Sequence, residues 1–488
     1  MGIDARLREG RRRPEPGDGV RPMTQSPQLA DLGRIHFVGV GGYGMSGLAE
    51  ILAGWGHDVS GSDTADVQFA RLREAGVTCV LGHDPAVLAG VRTVIATPSL
   101  PAGNVEVDAA RERGLAIMSR GELLDLIARQ RQLIAVAGSH GKTTTSGMLT
   151  LVMLAASGAD PTYSLGGYPF QLASNGHGGS GPWMVAEINE GDGTFGLFRP
   201  RIAVITNVDP DHLELFGTAE RYVEAFQRFA EQVDPDGVLV VCADDPRCRE
   251  LADDAGKAGR RVVTYGSGPD ADVVYRPVQV VNGLVEGEIT VQAQGVFPIR
   301  LSVPGVHNLQ NAAAVMAVAD ALDLDLDLDL HTVAEVLGGY QGAQRRLERL
   351  GRWQGIEVID DYAHHPTEMA VVIALARQQT GRHVVVCLRP LRFARTQIMA
   401  AEIAQALARA DHVVVMDPTG DTPIDGVTGA ALADRVRQLG ADVVYADGTA
   451  AAIERLAAVS ADGDVVLTIG AHDVAEVARG FVATLQRS

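Results

Sequence analysis

At 488 residues, with 46% hydrophobic, 21% charged and 5% aromatic side chains, the chain is too long for one core and reads as two or three globular domains. Its net charge of −19 argues against general nucleic-acid binding, which needs a cationic face, but not against phosphorylated small molecules held by local amides and a few cations. No apolar run reaches the roughly 18 residues of a membrane span, and Cys79, Cys242, Cys248 and Cys387 form no CxxC pair, as in a reduced cytoplasmic protein.

Residues 1–32 carry basic side chains without an apolar h-region, so a disordered tail is expected rather than a signal peptide, with Met23 as an alternative start. "RIHFVGV" (34–40) is a buried-type strand ending in glycines, "GMSGLAEILAGWG" has helical spacing, and "HDVSGSD" and "TVIATPS" are further strands. A second series starts at "QLIAVAG" and runs through "WMVAEIN", "RIAVITNV" and "GVLVVCADD". A third includes "IEVIDDYAHHP", "HVVVCLRP", "DHVVVMDPTG", "DVVYADG" and "DVVLTIGA". Strands alternating with helices imply an α/β fold with parallel sheets. The expected divisions are a tail over 1–32 and domains over 33–126, 127–344 and 345–488. The stretch 275–303 has the pattern of antiparallel strands appended to the middle domain, and "LDLDLDLDL" (322–330) is expected to be a loop.

The phosphate signal is "GSHGKTT". Gly138 and Gly141 let backbone N–H groups close on phosphate oxygens, and the following helix adds its positive end. Lys142 is a mobile point charge and Thr143 offers a hydroxyl to magnesium. Of 42 basic residues only Lys142 and Lys257 are lysines, and a rigid guanidinium fork is a poor substitute for a phosphate-bridging ammonium. Val136 stands where the first glycine of GxxxxGK[ST] would be, so a chance glycine-rich turn is the alternative.

"GVGGYGMSG" holds Gly39, Gly41 and Gly44 in GxGxxG spacing, with Asp63 following as a ribose-binding carboxylate would. A nucleotide, NAD and a plain tight turn all remain open there. Glu187, Glu190 and Asp192 follow one strand, and Asp209, Asp211 and His212 the next; oxygen donors with one imidazole suit magnesium beside a triphosphate, and acidic loops in an acidic protein are the alternative. Asn308 and Asn311 offer amides to an adenine edge, or Asn308 caps a helix. Arg345, Arg346, Asp361, His364 and His365 cluster near the third series. Neither a cysteine nor a third histidine has zinc spacing to the histidine pair, so phosphate contacts are expected there.

The ordered set "GVGGYGMSGLAEIL", "GSHGKTTT", "NVDPDHLE", "GVHNLQNAAA" and "DDYAHHPTE" resembles the Mur ligase family over roughly residues 33 to 480. The resemblance implies an N-terminal Rossmann-like domain for a UDP substrate, a central P-loop ATPase-type α/β domain and a C-terminal Rossmann-like domain. It implies ATP and Mg2+, with UDP-N-acetylmuramate and L-alanine as substrates. It also implies a cytoplasmic monomer or homodimer without nucleic-acid or membrane partners. The implied nucleotide loop is Gly138, Ser139, His140, Gly141, Lys142, Thr143 and Thr144. Lys142 would bridge the β- and γ-phosphates, Thr143 would hold a first magnesium, and Glu187 with His212 a second. Asn308 and Asn311 would read adenine, Asp361 would hold ribose, and Arg346 and His364 would reach phosphates. Lys142, Glu187, His212, Arg346 and His364 form the implied catalytic set. Gly41, Gly42 and Asp63 would face the UDP sugar, Asn189 and Glu190 the substrate, and Arg392 and Arg395 the amino acid's carboxylate.

The sequence departs from the family at Asn189 (an aspartate in "EADESD"), Leu391 (a histidine in "PHxxxRT") and Leu347 (the phenylalanine of "RRF"). It also has no lysine between Lys142 and Lys257 for carbamylation. A paralogue that ligates another amino acid or a peptide is therefore the alternative. A non-catalytic paralogue and an NAD-dependent oxidoreductase are weaker ones.

Overall fold

The computed structural model describes residues 28–487 apart from 98, 99, 101, 102, 157, 293, 327, 328, 380, 381, 471 and 472. In the first layer β1 (Ile35–Val38) is buried at every position. Gly39 ends it at φ 82°, a conformation glycine adopts without a Cβ penalty, and turns the chain into helix Tyr43–Gly54. With β2 (Val59–Asp63), β3 (Thr78–Leu81), β4 (Thr93–Ala96) and β5 (Ala116–Ser119) it forms a parallel sheet of order β3-β2-β1-β4-β5.

The central sheet contains β6 (Gln132–Ala137), β7 (Thr162–Ser164), β8 (Gly176–His177), β9 (Trp183–Glu187), β10 (Ile202–Ile205), β11 (Val238–Cys242), β12 (Arg261–Gly266), β13 (Val273–Val281), β14 (Leu284–Val291) and β15 (Gly295–Pro304). Its order is β15-β14-β13-β12-β11-β10-β6-β9-β7-β8. β6 lies between β9 and β10; the chain runs from β6 to β7 on the β9 side and later crosses from β9 to β10 on the other, so the loop after β6 opens at the switch point where α/β sheets bind ligands. The antiparallel β13–β15 extension is the one expected over 275–303.

The third sheet, of β16 (Glu348–Trp353), β17 (Ile356–Asp361), β18 (Val384–Arg389), β19 (His412–Val415), β20 (Asp442–Tyr445) and β21 (Val465–Gly470), has order β16-β17-β21-β18-β19-β20. Only β16 is antiparallel to its neighbour among the described strands.

The first two layers share one continuous apolar core, running from Leu32 to Tyr340, whereas the third sheet has its own apolar clusters on its two faces. Close backbone approach seals the first junction. A Cβ on Gly176 would overlap the backbone of Gly47, and a Cβ on Gly121 would meet the side chain of Thr194.

Two expectations need correction. Over 322–326 the repeat is helix rather than loop: helix Val306–Leu326 runs into it, helix Leu330–Gly338 begins at its end, and 327 and 328 lie outside the described residues. Leu322 is buried on the first helix, and leucines and aspartates are each compatible with a helix when tertiary packing supplies the buried face. The expected tail at 1–32 lies outside the described residues up to 27, but Leu29–Leu32 form a 3-10 turn that buries Leu32 in the core.

Candidate active site

The glycine-rich loop in which a phosphate cradle is expected joins β6 to helix Lys142–Ala155, with Gly138 at φ 131° and Gly141 at φ 80°. A Cβ on Gly141 would stand 2.7 Å from Oδ1 of Asn311, so the loop and the helix that begins at Val306 fit only without a side chain there. The end of β10 holds the loop. Thr206 Oγ1 donates to the carbonyl of His140 at 2.6 Å, and Asn207 Oδ1 accepts its N–H at 2.9 Å.

Lys142 turns back over this loop. Its Nζ donates to the carbonyls of Gly138 and Ser139 and pairs with Glu190 at 3.1 Å. Glu190 is buried, and Tyr222 on helix Ala219–Glu231 closes the arrangement. Its hydroxyl lies 2.7 Å from Ser139 Oγ and 3.3 Å from Glu190 Oε1. Burial first, then the Glu190 carboxylate, hold the phenol protonated far above its ordinary range. Thr143 is buried on the first turn and Thr144 half-buried beside it.

Glu187 ends β9 and accepts the N–H of Gly166 at 2.9 Å; a Cβ on Gly166 would overlap its carboxylate. His212 sits at φ 51°, with Gly191 leaving room beside its ring, where a Cβ would stand 3.0 Å from Cε1. Asn189 Oδ1 accepts the N–H of Gly191 at 2.8 Å and so shapes the turn between these groups.

The C-terminal domain reaches this edge through charged side chains. Buried Arg395 grips Asp211 through Nε at 3.1 Å and Nη2 at 3.0 Å, and Arg392 pairs with Glu214 at 3.0 Å. Burial raises the Asp211 carboxyl, but Arg395, His212 and His364 outweigh it and hold the group well below the usual range. Arg395 Nη1 is buried with no hydrogen-bond partner. Arg346 lies 3.8 Å from Glu368 and over the ring of Tyr362.

His364 is neutral, pushed down to about 3 by burial first and then by Arg395. Its Nδ1 lies 3.0 Å from the carbonyl of Tyr362 and therefore carries the proton. Asp361 accepts the N–H groups of Leu347 and Ala363 at 2.7 and 2.6 Å, and burial pushes it up to about 6.

Several implied ligand contacts are taken up internally. Asn311 Nδ2 donates to Asn308 Oδ1 at 3.1 Å and Asn308 Nδ2 to the carbonyl of Pro304 at 2.7 Å. Their helix begins at Val306, so Asn308 lies inside the first turn rather than at a cap. In the first domain Asp63 Oδ2 accepts the N–H of Gly41 at 2.8 Å, while Gly42 precedes helix Tyr43–Gly54. Lys142 thus pairs with Glu190, and His212, His364 and Arg395 converge on Asp211. Gly41, Gly42 and Asp63 form a separate group on the first sheet.

Tyr222 and the Asp211–Arg395 pair are functional candidates that motif reading missed. "PDH" and "ART" each advertised a charged group, but nothing in either stretch announced its partner 184 residues away.

The family model described as "Mur ligase family, catalytic domain" fits residues 34–132, "Mur ligase middle domain" fits 184–319, and "Mur ligase, glutamate ligase domain" fits 345–472. The UDP-N-acetylmuramate–L-alanine ligase of Renibacterium salmoninarum is 40% identical over 94% of this chain and 97% of its own length. That of Kineococcus radiotolerans is 44% identical over 92% and 95%. The solved UDP-N-acetylmuramate–alanine ligase of Thermotoga maritima superposes with a TM-score of 0.77 at 30% identity, covering 93% of this chain and 99% of that one. A murein peptide ligase from Psychrobacter arcticus shares the fold, with a TM-score of 0.71 at 21% identity and the same coverage. The chain belongs to the Mur ligase family.

Proposed function

We propose that this chain is a cytoplasmic ATP-dependent ligase that joins L-alanine to the carboxylate of UDP-N-acetylmuramate through an acyl phosphate, in peptidoglycan precursor synthesis. The observation that carries the reading is the ammonium of Lys142. It is held in a glycine loop 3.1 Å from the buried Glu190, while Glu187 ends β9 and His212 opens helix Leu213–Phe216. The protein acts as a monomer or homodimer without nucleic-acid or membrane partners. Among the described residues no helix is long and apolar enough to cross a membrane.

A triphosphate is a stronger anionic partner than one carboxylate, so Lys142 exchanges Glu190 and the loop carbonyls for the β- and γ-phosphate oxygens. The muramate carboxylate oxygen attacks the γ-phosphorus and ADP leaves. The neutral amine of alanine then attacks the acyl carbon, its extra proton passes to solvent or the departing phosphate, and inorganic phosphate leaves. Positioning and charge neutralisation supply most of the rate. Arg346 neutralises phosphate charge from the third domain, and an anion beside His364 favours its protonated, donating form. Arg395 keeps its two bonds to Asp211 and presents Nη1, which has no partner, to the carboxylate of alanine. Arg392 joins it by leaving Glu214.

The donors fit Mg2+: Thr143 offers a hydroxyl to a first ion, and Glu187 with His212 a carboxylate and an imidazole to a second, with Gly166 and Gly191 leaving that carboxylate and ring unobstructed. Bound there, the two ions would neutralise phosphate charge. Asn308, Asn311 and Asp361 would turn from internal bonds to adenine and ribose, and Gly41, Gly42 and Asp63 would face the UDP moiety.

Leu391 lies against Gly420 where the family pattern has a histidine, which favours a second reading: another amino acid or a peptide as acceptor. Coupled ADP release with UDP-N-acetylmuramate, run across the twenty amino acids, separates the two. L-alanine should dominate; turnover confined to a peptide or to another amino acid would overturn the first reading.

A further inference from the structure

The third imidazole that no sequence spacing offered to the histidine pair at 364–365 arrives from the phosphate loop. His140 Nε2 lies 3.0 Å from Asp209 Oδ2, and His365 Nδ1 lies 3.6 Å from the same oxygen. The two rings are 4.9 Å apart at 44°, and one ligand atom from each of the three residues falls within 4.8 Å of the others. Around a tetrahedral zinc with bonds of about 2.0–2.2 Å, neighbouring ligand atoms stand about 3.3–3.5 Å apart. The two separations to Asp209, 3.0 and 3.6 Å, bracket that spacing.

We propose that His140, Asp209 and His365 bind one divalent transition cation of the zinc class and so clasp the phosphate loop to the C-terminal domain. His365 precedes helix Pro366–Gln379 in that domain, whereas His140 and Asp209 belong to the central one. Outer partners of the kind that orient metal ligands are present. Glu368 Oε1 lies 3.3 Å from His140 Nδ1, and Thr367 Oγ1 donates to Asp209 Oδ2 at 2.7 Å.

Two carboxylates, Asp209 and Glu368, face the site against the cation of Arg346 and the ring of His364, both on the Glu368 side. This set is rich in imidazole, unlike the oxygen-rich donors Thr143 and Glu187 with the single ring of His212, and it selects a softer ion than magnesium.

The test is titration of metal-stripped, tag-free full-length protein with Co2+ in excess Mg2+, followed by visible absorption. One equivalent should give intense tetrahedral bands, and Zn2+ should bleach them. His365→Gln and Asp209→Asn, each checked for folding by circular dichroism, should each weaken binding by about tenfold or more, while Lys257→Ala, an exposed position outside the site, should keep the bands. Weak octahedral absorption alone in the unaltered protein would overturn the assignment. So would tight binding undiminished in the folded His365→Gln chain, which would put the ion at Glu187 and His212.

Discussion

Lys142 and Glu190 form a pair in which the lysine is 13% and the glutamate 1% exposed, so neither charge is well solvated. Removing one partner strands the other. Lys142→Ala should cost about 3–5 kcal/mol of stability, and adding Glu190→Gln should recover most of it, as read by denaturant unfolding. Ligase turnover should fall by about 10³-fold or more in Lys142→Ala, and Lys142→Arg should not restore it, because a planar fork cannot follow a transferring phosphoryl group. Tyr222→Phe removes the hydroxyl shared by Ser139 and Glu190. It should cost about 1–3 kcal/mol and raise KM for ATP more than it lowers kcat. Lys142 was legible because glycines and a helix surround it locally. Tyr222 was not: it occupies a core position on its helix with Phe226, Phe229 and Ala230, and sequence spacing reads it as packing.

Between elements, the first domain docks through helix Tyr43–Gly54, where Glu50, Arg71, Ser174 and Tyr168 form a polar junction. Arg71 donates to Tyr168 Oη at 2.6 Å and to Ser174 Oγ at 2.6 Å and pairs with Glu50 at 3.3 Å, and Ser174 donates to Glu50. Burial pushes Glu50 up to about 7, with Arg71 opposing it. A carboxyl raised in the folded state contributes stability that is complete below its ordinary value of about 4.3 and is lost as pH rises through the folded value. Thermal stability of this junction should therefore decline between about pH 4.5 and pH 7, and Glu50→Gln should flatten that slope without abolishing folding. The fit of Gly47 against Gly176 belongs to the same junction. The strands and helices here were readable from period and glycine placement. Their docking was not, because it depends on two glycines 129 positions apart meeting backbone to backbone.

For the whole molecule, the distribution of apolar surface sets the units that unfold together. One core spans the first two sheets, while the third sheet buries its own faces and meets the rest through Arg395–Asp211, Arg392–Glu214 and the His140–Glu368 contact. Polar junctions between domains are the ones that move. Calorimetry should resolve two transitions rather than three, with the fragment 345–488 accounting for one of them. A single transition, or three, would contradict this division of the core.

Several features of the protein were settled by short stretches of chain: the α/β alternation, the antiparallel extension over 273–304, and the glycine loop with its lysine. Each depends on residues within a few positions of one another, where backbone geometry and side-chain period act directly. The pairing of Lys142 with Glu190, of Asp211 with Arg395 and of His140 with His365 was decided only by the folded structure. Those partners come from different strand ends and different domains, and strand order together with domain docking, rather than any local propensity, brings them within bonding distance.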